Sequence, residues 1–112
     1  MKNLIEYKGY LGSVEFSSED EVFFGKVQGI RSLISYEGNT ASELIQDFHT
    51  AVDDYLSLCK EENKEPEKAY KGSFNIRISP ELHKKIAIYA IEHEMSLNKL
   101  VENSIQREFA DL

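Results

Sequence analysis

Three segments in the first forty residues have the composition and the alternation of β-strands. In Tyr10–Phe16 every second residue falls on the same face of an extended chain, which predicts a strand. Val22–Val27 is rich in β-forming residues and follows the polar residues 17–21, so these two segments predict a hairpin. Leu33–Tyr36 predicts a third short strand. The pattern as a whole indicates a small antiparallel meander.

A long amphipathic helix follows the meander. Thr40 and Glu43 have the spacing of a capping box, in which each side chain satisfies a backbone amide of the other residue. Apolar residues then recur at steps of three and four, at Leu44, Phe48, Val52, Tyr55, Leu56 and Cys59. We expect this face to cover the sheet. The charged stretch that follows contains Pro66 and has no apolar face, which predicts a linker over residues 61–71.

The last forty residues predict the order strand, helix, helix. Residues 73–78 alternate strictly, and one face of the segment consists of Phe74, Ile76 and Ile78. Ser79 and Pro80 are residue types that begin a helix, and the pattern continues it to about His93. Ser96 caps a second helix, whose apolar face consists of Leu97, Leu100, Val101, Ser104, Ile105 and Phe109.

The segment at residues 73–78 requires a partner strand, because a lone strand leaves its backbone amides and carbonyls unpaired. Two short helices also bury too little apolar area to hold it. A second copy of the chain would pair the two segments as an antiparallel ribbon over four helices. The tail therefore predicts a homodimer, and additional pairing of the N-terminal domains would make a tetramer.

The outward face of such a ribbon has the chemistry of a DNA reader. It would carry Ser73, Asn75 and Arg77 from each chain. A two-stranded ribbon fits the major groove, where Asn pairs with adenine and Arg with guanine. The free amides at the start of the second helix would hold a backbone phosphate, at Ser96, Leu97, Asn98 and Lys99. A solvated strand face is the alternative, and we favour DNA contact because two capped helices follow the strand.

Charge is distributed unevenly between the two parts of the chain. The net charge is −7 at pH 7, which disfavours a protein that coats nucleic acid by bulk electrostatics. Residues 1–64 carry 6 Lys and Arg against 12 Asp and Glu, giving −6, while residues 65–112 carry 7 against 8, giving −1. Between positions 68 and 85 five basic residues face only Glu81, a local balance of +4. A basic stripe therefore lies within an acidic protein.

Metal and redox chemistry have little support in the sequence. Cys59 is the single cysteine, which excludes an internal disulfide framework, and its position on the helical stripe predicts a small core residue. His49, His83 and His93 have no spacing that makes a metal site. We therefore expect neither a metal nor a cofactor. No apolar run approaches the roughly 20 residues of a membrane span, so we expect a cytoplasmic protein.

An enzyme is the alternative that the acidic residues leave open. Ribonuclease-H-like nucleases gather carboxylates on a sheet and a helix to hold two metal ions. The candidates in this chain are Glu15, Asp47, Asp53 and Asp54. The predicted sheet supplies only one of these acids, and charged helix faces are usually just solvated, so we expect no enzyme.

Two resemblances extend this interpretation. Residues 72–105 resemble the ribbon-helix-helix family typified by the phage repressor Arc. The whole chain resembles HicB antitoxins of the ribbon-helix-helix subtype. The segments that carry this second resemblance are Tyr7-Lys8-Gly9-Tyr10, Phe24-Gly25-Lys26-Val27, Val52-Asp53-Asp54-Tyr55, Pro66-Glu67-Lys68 through Arg77, and Ser96-Leu97-Asn98. The chain departs from the family at Glu94, where a glycine usually occupies the turn before the last helix.

The resemblance to HicB implies a function as well as a fold. It implies an N-terminal domain with a partial ribonuclease-H-like fold that blocks a small, basic, RNA-cleaving toxin, HicA. It also implies that the tail represses the operon that encodes both proteins. The acidity of the N-terminal part would complement a basic toxin, although an acidic surface by itself indicates no more than solubility.

The sequence thus predicts an α+β antitoxin and autorepressor. Residues 1–60 would form the toxin-binding domain, residues 61–71 the linker and residues 72–112 the ribbon-helix-helix domain that dimerises and binds DNA. The first alternative is a ribbon-helix-helix regulator whose N-terminal domain binds a ligand or oligomerises. The second alternative is a ribonuclease-H-like nuclease.

Overall fold

The computed structural model describes residues 3–112, and the chain divides into two compact units between Ser73 and Phe74. Within these residues the first unit contains five strands and a long helix, and the second unit contains two helices. The predicted α+β class is therefore confirmed. The partial ribonuclease-H-like arrangement, the ribbon-helix-helix arrangement and the domain boundaries stay predictions.

The first unit contains two small antiparallel sheets. The strands are β1 Leu4–Tyr7, β2 Tyr10–Ser13, β3 Glu15–Ser17, β4 Val22–Lys26 and β5 Ser35–Gly38. One sheet pairs β1 with β2, and the other has the strand order β3-β4-β5. The sheets are joined where Gly12 and Val27 form an isolated bridge and where the Gln28 amide donates to the Leu11 carbonyl at 2.8 Å.

The strand pairing differs from the predicted meander at three places. The alternation over Tyr10–Phe16 suggested one strand, but the chain passes from the first sheet to the second at Val14, whose amide donates to the Asn3 carbonyl at 3.0 Å. β1 was not predicted, and it pairs with β2 in a sheet that is separate from the sheet of β3, β4 and β5. The last strand covers Ser35–Gly38 rather than Leu33–Tyr36, because Gly25 of β4 pairs with Tyr36.

The helix α1, Ala41–Glu61, covers the core with the face that the sequence predicted. Its buried residues are Leu44, Phe48, Val52 and Cys59, and the half-buried Tyr55 and Leu56 pack beside them. Thr40 caps the helix by accepting from the Glu43 amide at 3.1 Å. The Glu43 carboxylate accepts from the amide of Asn39 at 2.8 Å rather than from that of Thr40, so the cap is a variant of the expected box.

The centre of the first unit is built around Tyr36. This side chain is buried with Phe48, and its hydroxyl donates to the Ser13 carbonyl at 2.6 Å. Burial raises the pKa of Tyr36 to about 12. Gly25 leaves room for this contact, because a Cβ atom there would collide with the Ser13 backbone and the Tyr36 hydroxyl. The core therefore requires the smallest residue on β4.

The second unit consists of α2, Pro80–Glu92, and α3, Leu97–Glu108. Both predicted caps are confirmed, because Ser79 accepts from the Leu82 amide at 3.2 Å and Ser96 accepts from the Lys99 amide at 3.0 Å. Within residues 3–112, none of the helices α1, α2 and α3 combines the length and the hydrophobicity that a membrane span requires.

The turn between α2 and α3 is a Schellman motif with glutamate where glycine is common. The Met95 amide donates to the Ala90 carbonyl at 3.0 Å and the Glu94 amide to the Ile91 carbonyl at 3.2 Å. Glu94 has a φ of 52°, in the left-handed region that costs a non-glycine residue about 1 kcal/mol. The departure from the HicB pattern therefore changes the strain of the turn and leaves its hydrogen bonds in place.

Candidate nucleic-acid interface

The predicted DNA-reading residues are exposed. Ser73 ends the first unit, and Asn75 and Arg77 follow in the segment that leads to α2. Within the described residues of one chain, the segment 74–78 has no strand partner. The ribbon, and the role of these three side chains in DNA binding, therefore stay predictions.

The apolar residues of this segment are as exposed as the polar ones. Phe74 is 74% exposed and Ile76 is 57% exposed, and Ile78 is also exposed. On the helices that follow, and at the residue that caps the end of α3, large apolar side chains are exposed at Leu82, Ile88, Tyr89, Ile91, Ile105 and Phe109. Of residues 74–112, all of which the structure describes, Ala90 is the only buried one. A single copy of the second unit therefore leaves many of its large apolar side chains exposed to water.

The start of α3 has the groups that a phosphate would require. Ser96 is the N-cap, Leu97 is half-buried, and the side chains of Asn98 and Lys99 are exposed. The positive end of a helix dipole lies at this terminus. The Lys99 ammonium group is 3.3 Å from the Glu102 carboxylate, an ion pair that the sequence interpretation missed and that the spacing of three residues could have indicated.

The four carboxylates that we considered for catalysis have separate surroundings. Asp47 accepts from the Glu37 amide at 2.9 Å, and Asp53 pairs with Lys8 at 2.8 Å. Glu15 and Asp54 are exposed. Within residues 3–112 no group of three or more His, Cys, Asp and Glu side chains is placed to hold a metal ion. The hydrogen bond that Asp47 accepts and the ion pair of Asp53 connect parts of the first unit, so a role in the stability of the fold explains both.

The Asp53 carboxylate is also the centre of a small surface cluster. The Tyr7 hydroxyl donates to it at 3.1 Å, and the Tyr7 ring stacks on His49 with the ring centres 4.0 Å apart. The hydrogen bond from Lys8 holds the pKa of Asp53 below its ordinary value, and the same bond raises the pKa of Lys8. This cluster attaches the β1–β2 hairpin to α1.

An open acidic cleft of about 790 Å³ lies beside the first half of α1. Its charged lining residues are Asp20, Glu37, Glu43 and Asp47. The Glu43 and Asp47 carboxylates accept from backbone amides of the same unit. The four acidic residues of the cleft account for part of the negative charge that the sequence assigns to the N-terminal part of the chain.

The second unit thus combines two capped helices, an unpaired segment before them and an exposed apolar surface. Residues 55–105 match the model of the HicB family. The match supports a relationship between these residues and the HicB family, and it is consistent with an antitoxin role. No curated protein and no solved structure matches the chain.

The HicB match covers slightly less than half of the chain. It begins at Tyr55 in the last part of α1, includes the charged segment after that helix, and ends at Ile105 in α3. The five strands lie outside the matched residues. The match thus includes most of the part whose sequence pattern alone indicates a ribbon and two helices.

Proposed function

We propose that the chain is the antitoxin of a toxin-antitoxin pair, with a second unit that dimerises as a ribbon-helix-helix module and represses its own operon. The observation that carries the DNA-binding half is the exposed apolar surface of the second unit. Pairing Phe74–Ile78 with the same segment of a second copy would cover Phe74, Ile76 and Ile78 and satisfy the backbone groups of both segments. The same pairing would place Asn75 and Arg77 on the opposite face, toward a major groove.

Arg77 is the residue on which the DNA proposal is most easily tested. Because a bidentate contact from arginine to guanine contributes about 1–3 kcal/mol, Arg77→Ala is expected to weaken binding to the DNA upstream of the gene by about fivefold to 150-fold. Fluorescence anisotropy at one fixed salt concentration measures the loss. Arg107→Ala, which removes an exposed arginine from the far end of α3, is the matched control. Equal affinities for the two variants would exclude base reading by Arg77.

The first unit is proposed to bind and block a HicA-like toxin. This half rests on the HicB match and on the acidic composition of the first unit, which would attract and orient a small basic protein. Such a protein is expected to be encoded beside this chain. Its expression alone is expected to stop growth, and co-expression with this chain is expected to restore growth and to yield a complex that co-purifies. Growth arrest that persists beside a well-folded antitoxin would contradict the proposal and favour a regulator of another kind.

A further inference from the structure

Residues 66–70 lie against the first unit although they form neither helix nor strand. Pro66, Glu67 and Ala69 are half-buried, whereas residues 61–65 are exposed. The segment passes close to Gly29, where a Cβ atom would lie 3.1 Å from the Tyr70 ring and 3.3 Å from the Ala69 side chain. A segment that the charge pattern alone predicted as linker therefore has a defined position on the surface of the first unit.

Two tyrosines hold the backbone of Glu67. The Tyr10 hydroxyl donates to the Glu67 carbonyl at 2.7 Å, and the Glu67 amide donates to the Tyr55 hydroxyl at 2.9 Å. Tyr10 belongs to the core and is only 7% exposed. If the Glu67 carbonyl were removed, the nearly buried Tyr10 hydroxyl would lose its hydrogen bond, which would cost free energy. The backbone of this segment is thus tied to both β2 and α1.

The side chain of Glu67 reaches into a loop of the same unit. Its carboxylate accepts from the Arg31 amide at 2.8 Å, from the Ser32 amide at 3.1 Å and from the Ser32 hydroxyl. The Ser32 hydroxyl and then the Arg31 amide hold the pKa of Glu67 below its ordinary value. Hydrogen bonds to an ionised acceptor are stronger than neutral ones, so this single side chain provides the firmest attachment of the segment.

We infer that residues 66–70 form a strap, that the Glu67 carboxylate is its latch, and that opening the latch lengthens the tether between the two units. With the strap closed, only residues 71–73 separate Tyr70 from the second unit, a reach of roughly 10 Å. With the strap open, the free chain begins after the hydrogen-bonded Lys64, and its reach rises to roughly 30 Å. The inference goes beyond the proposed function and does not depend on DNA or on a toxin.

Hydrogen exchange of the full-length chain, followed by mass spectrometry, tests the latch. Glu67→Gln keeps the shape of the side chain and removes its charge, and Glu65→Gln makes the same change at an exposed position two residues away. We expect Glu67→Gln to speed exchange about tenfold at the amides of Glu67, Arg31 and Ser32, because charged hydrogen bonds are replaced by weaker neutral ones. Exchange in the centre of α1 is expected to stay unchanged, and Glu65→Gln to behave as the native chain.

Ser32→Ala provides a second variant that leaves the sequence of the strap intact. It removes the hydroxyl bond to Glu67, and we expect trypsin to cleave after Lys68 several-fold faster than in the native chain. Ser18→Ala, a change at an exposed serine in the β3–β4 turn, is expected to leave this cleavage rate unchanged. Unchanged exchange in Glu67→Gln, unchanged cleavage in Ser32→Ala, or equally faster exchange throughout α1 would overturn the latch.

Discussion

Asp53 acquires its role from residues that are distant in the sequence. Its carboxylate accepts from the Lys8 ammonium group and from the Tyr7 hydroxyl, both on or beside the β1–β2 hairpin. The sequence placed Asp53 on a helix with Asp47 and Asp54, but β1 was not predicted, so the carboxylate had no predicted partner. By contrast, the position of Cys59 in the apolar stripe predicted its burial correctly, because that prediction required only the helical period.

The depressed pKa of Asp53 predicts a pH dependence of stability. A carboxylate whose folded pKa lies below its unfolded value stabilises the fold above the unfolded pKa, and this contribution disappears as pH falls through the folded pKa. Asp53→Asn is therefore expected to lower the urea midpoint at pH 7, and the difference from the native chain is expected to vanish as pH falls below the ordinary pKa of 3.8. The raised pKa of Lys8 predicts that the difference also shrinks above pH 10.5.

Circular dichroism at several pH values measures these midpoints. Asp54→Asn changes the neighbouring exposed carboxylate and is the control. It is expected to leave the urea midpoint at pH 7 close to that of the native chain, because no hydrogen bond of the described structure depends on it. A difference for Asp53→Asn that stays constant from pH 3 to pH 7 would show that the ion pair with Lys8 does not stabilise the hairpin.

At the scale of whole elements, the sequence predicted helices well and strand pairing poorly. Ser79 and Ser96 identified the starts of α2 and α3, because a cap depends on a few neighbouring residues. The break at Val14 depends instead on which strands pair with the chain before and after it, and alternation within one segment does not contain that information. The available sequence signal for β1 is Gly9, a residue type that favours a hairpin turn, and in the structure both Lys8 and Gly9 have positive φ.

Local sequence patterns also did not predict the position of the strap. Its composition is that of a solvated linker, and its position follows from the Arg31 and Ser32 amides and from two tyrosine hydroxyls. A glutamate within a charged run gives no sign of which distant amides it will bind. For the candidate DNA residues the local pattern gave a prediction that one chain does not test. Alternation assigns Asn75 and Arg77 to one face of a strand, but their segment has no partner strand within the described residues of one chain.

At the scale of the whole molecule, the two units bury their apolar residues to different extents. The first unit encloses a core of Tyr10, Val27, Ile34, Tyr36, Leu44, Phe48 and Val52. The second unit leaves the side chains of Phe74, Ile76 and Ile78 exposed. An apolar surface of this kind on a small module is typical of an obligate interface. We therefore propose that a second copy of the chain completes the fold of the second unit.

Sedimentation equilibrium of the full-length chain between about 1 and 100 μM tests this claim most directly, since it covers the affinities expected of a stable homodimer. The native chain and the control Leu58→Asp, a change at an exposed apolar residue of α1, are expected to have at least twice the 12.9 kDa mass of one chain. Ile76→Asp would place a charge in the buried face of the ribbon and is expected to sediment as a monomer. A native chain that remains monomeric at the highest concentration, with both α2 and α3 folded, would contradict the account.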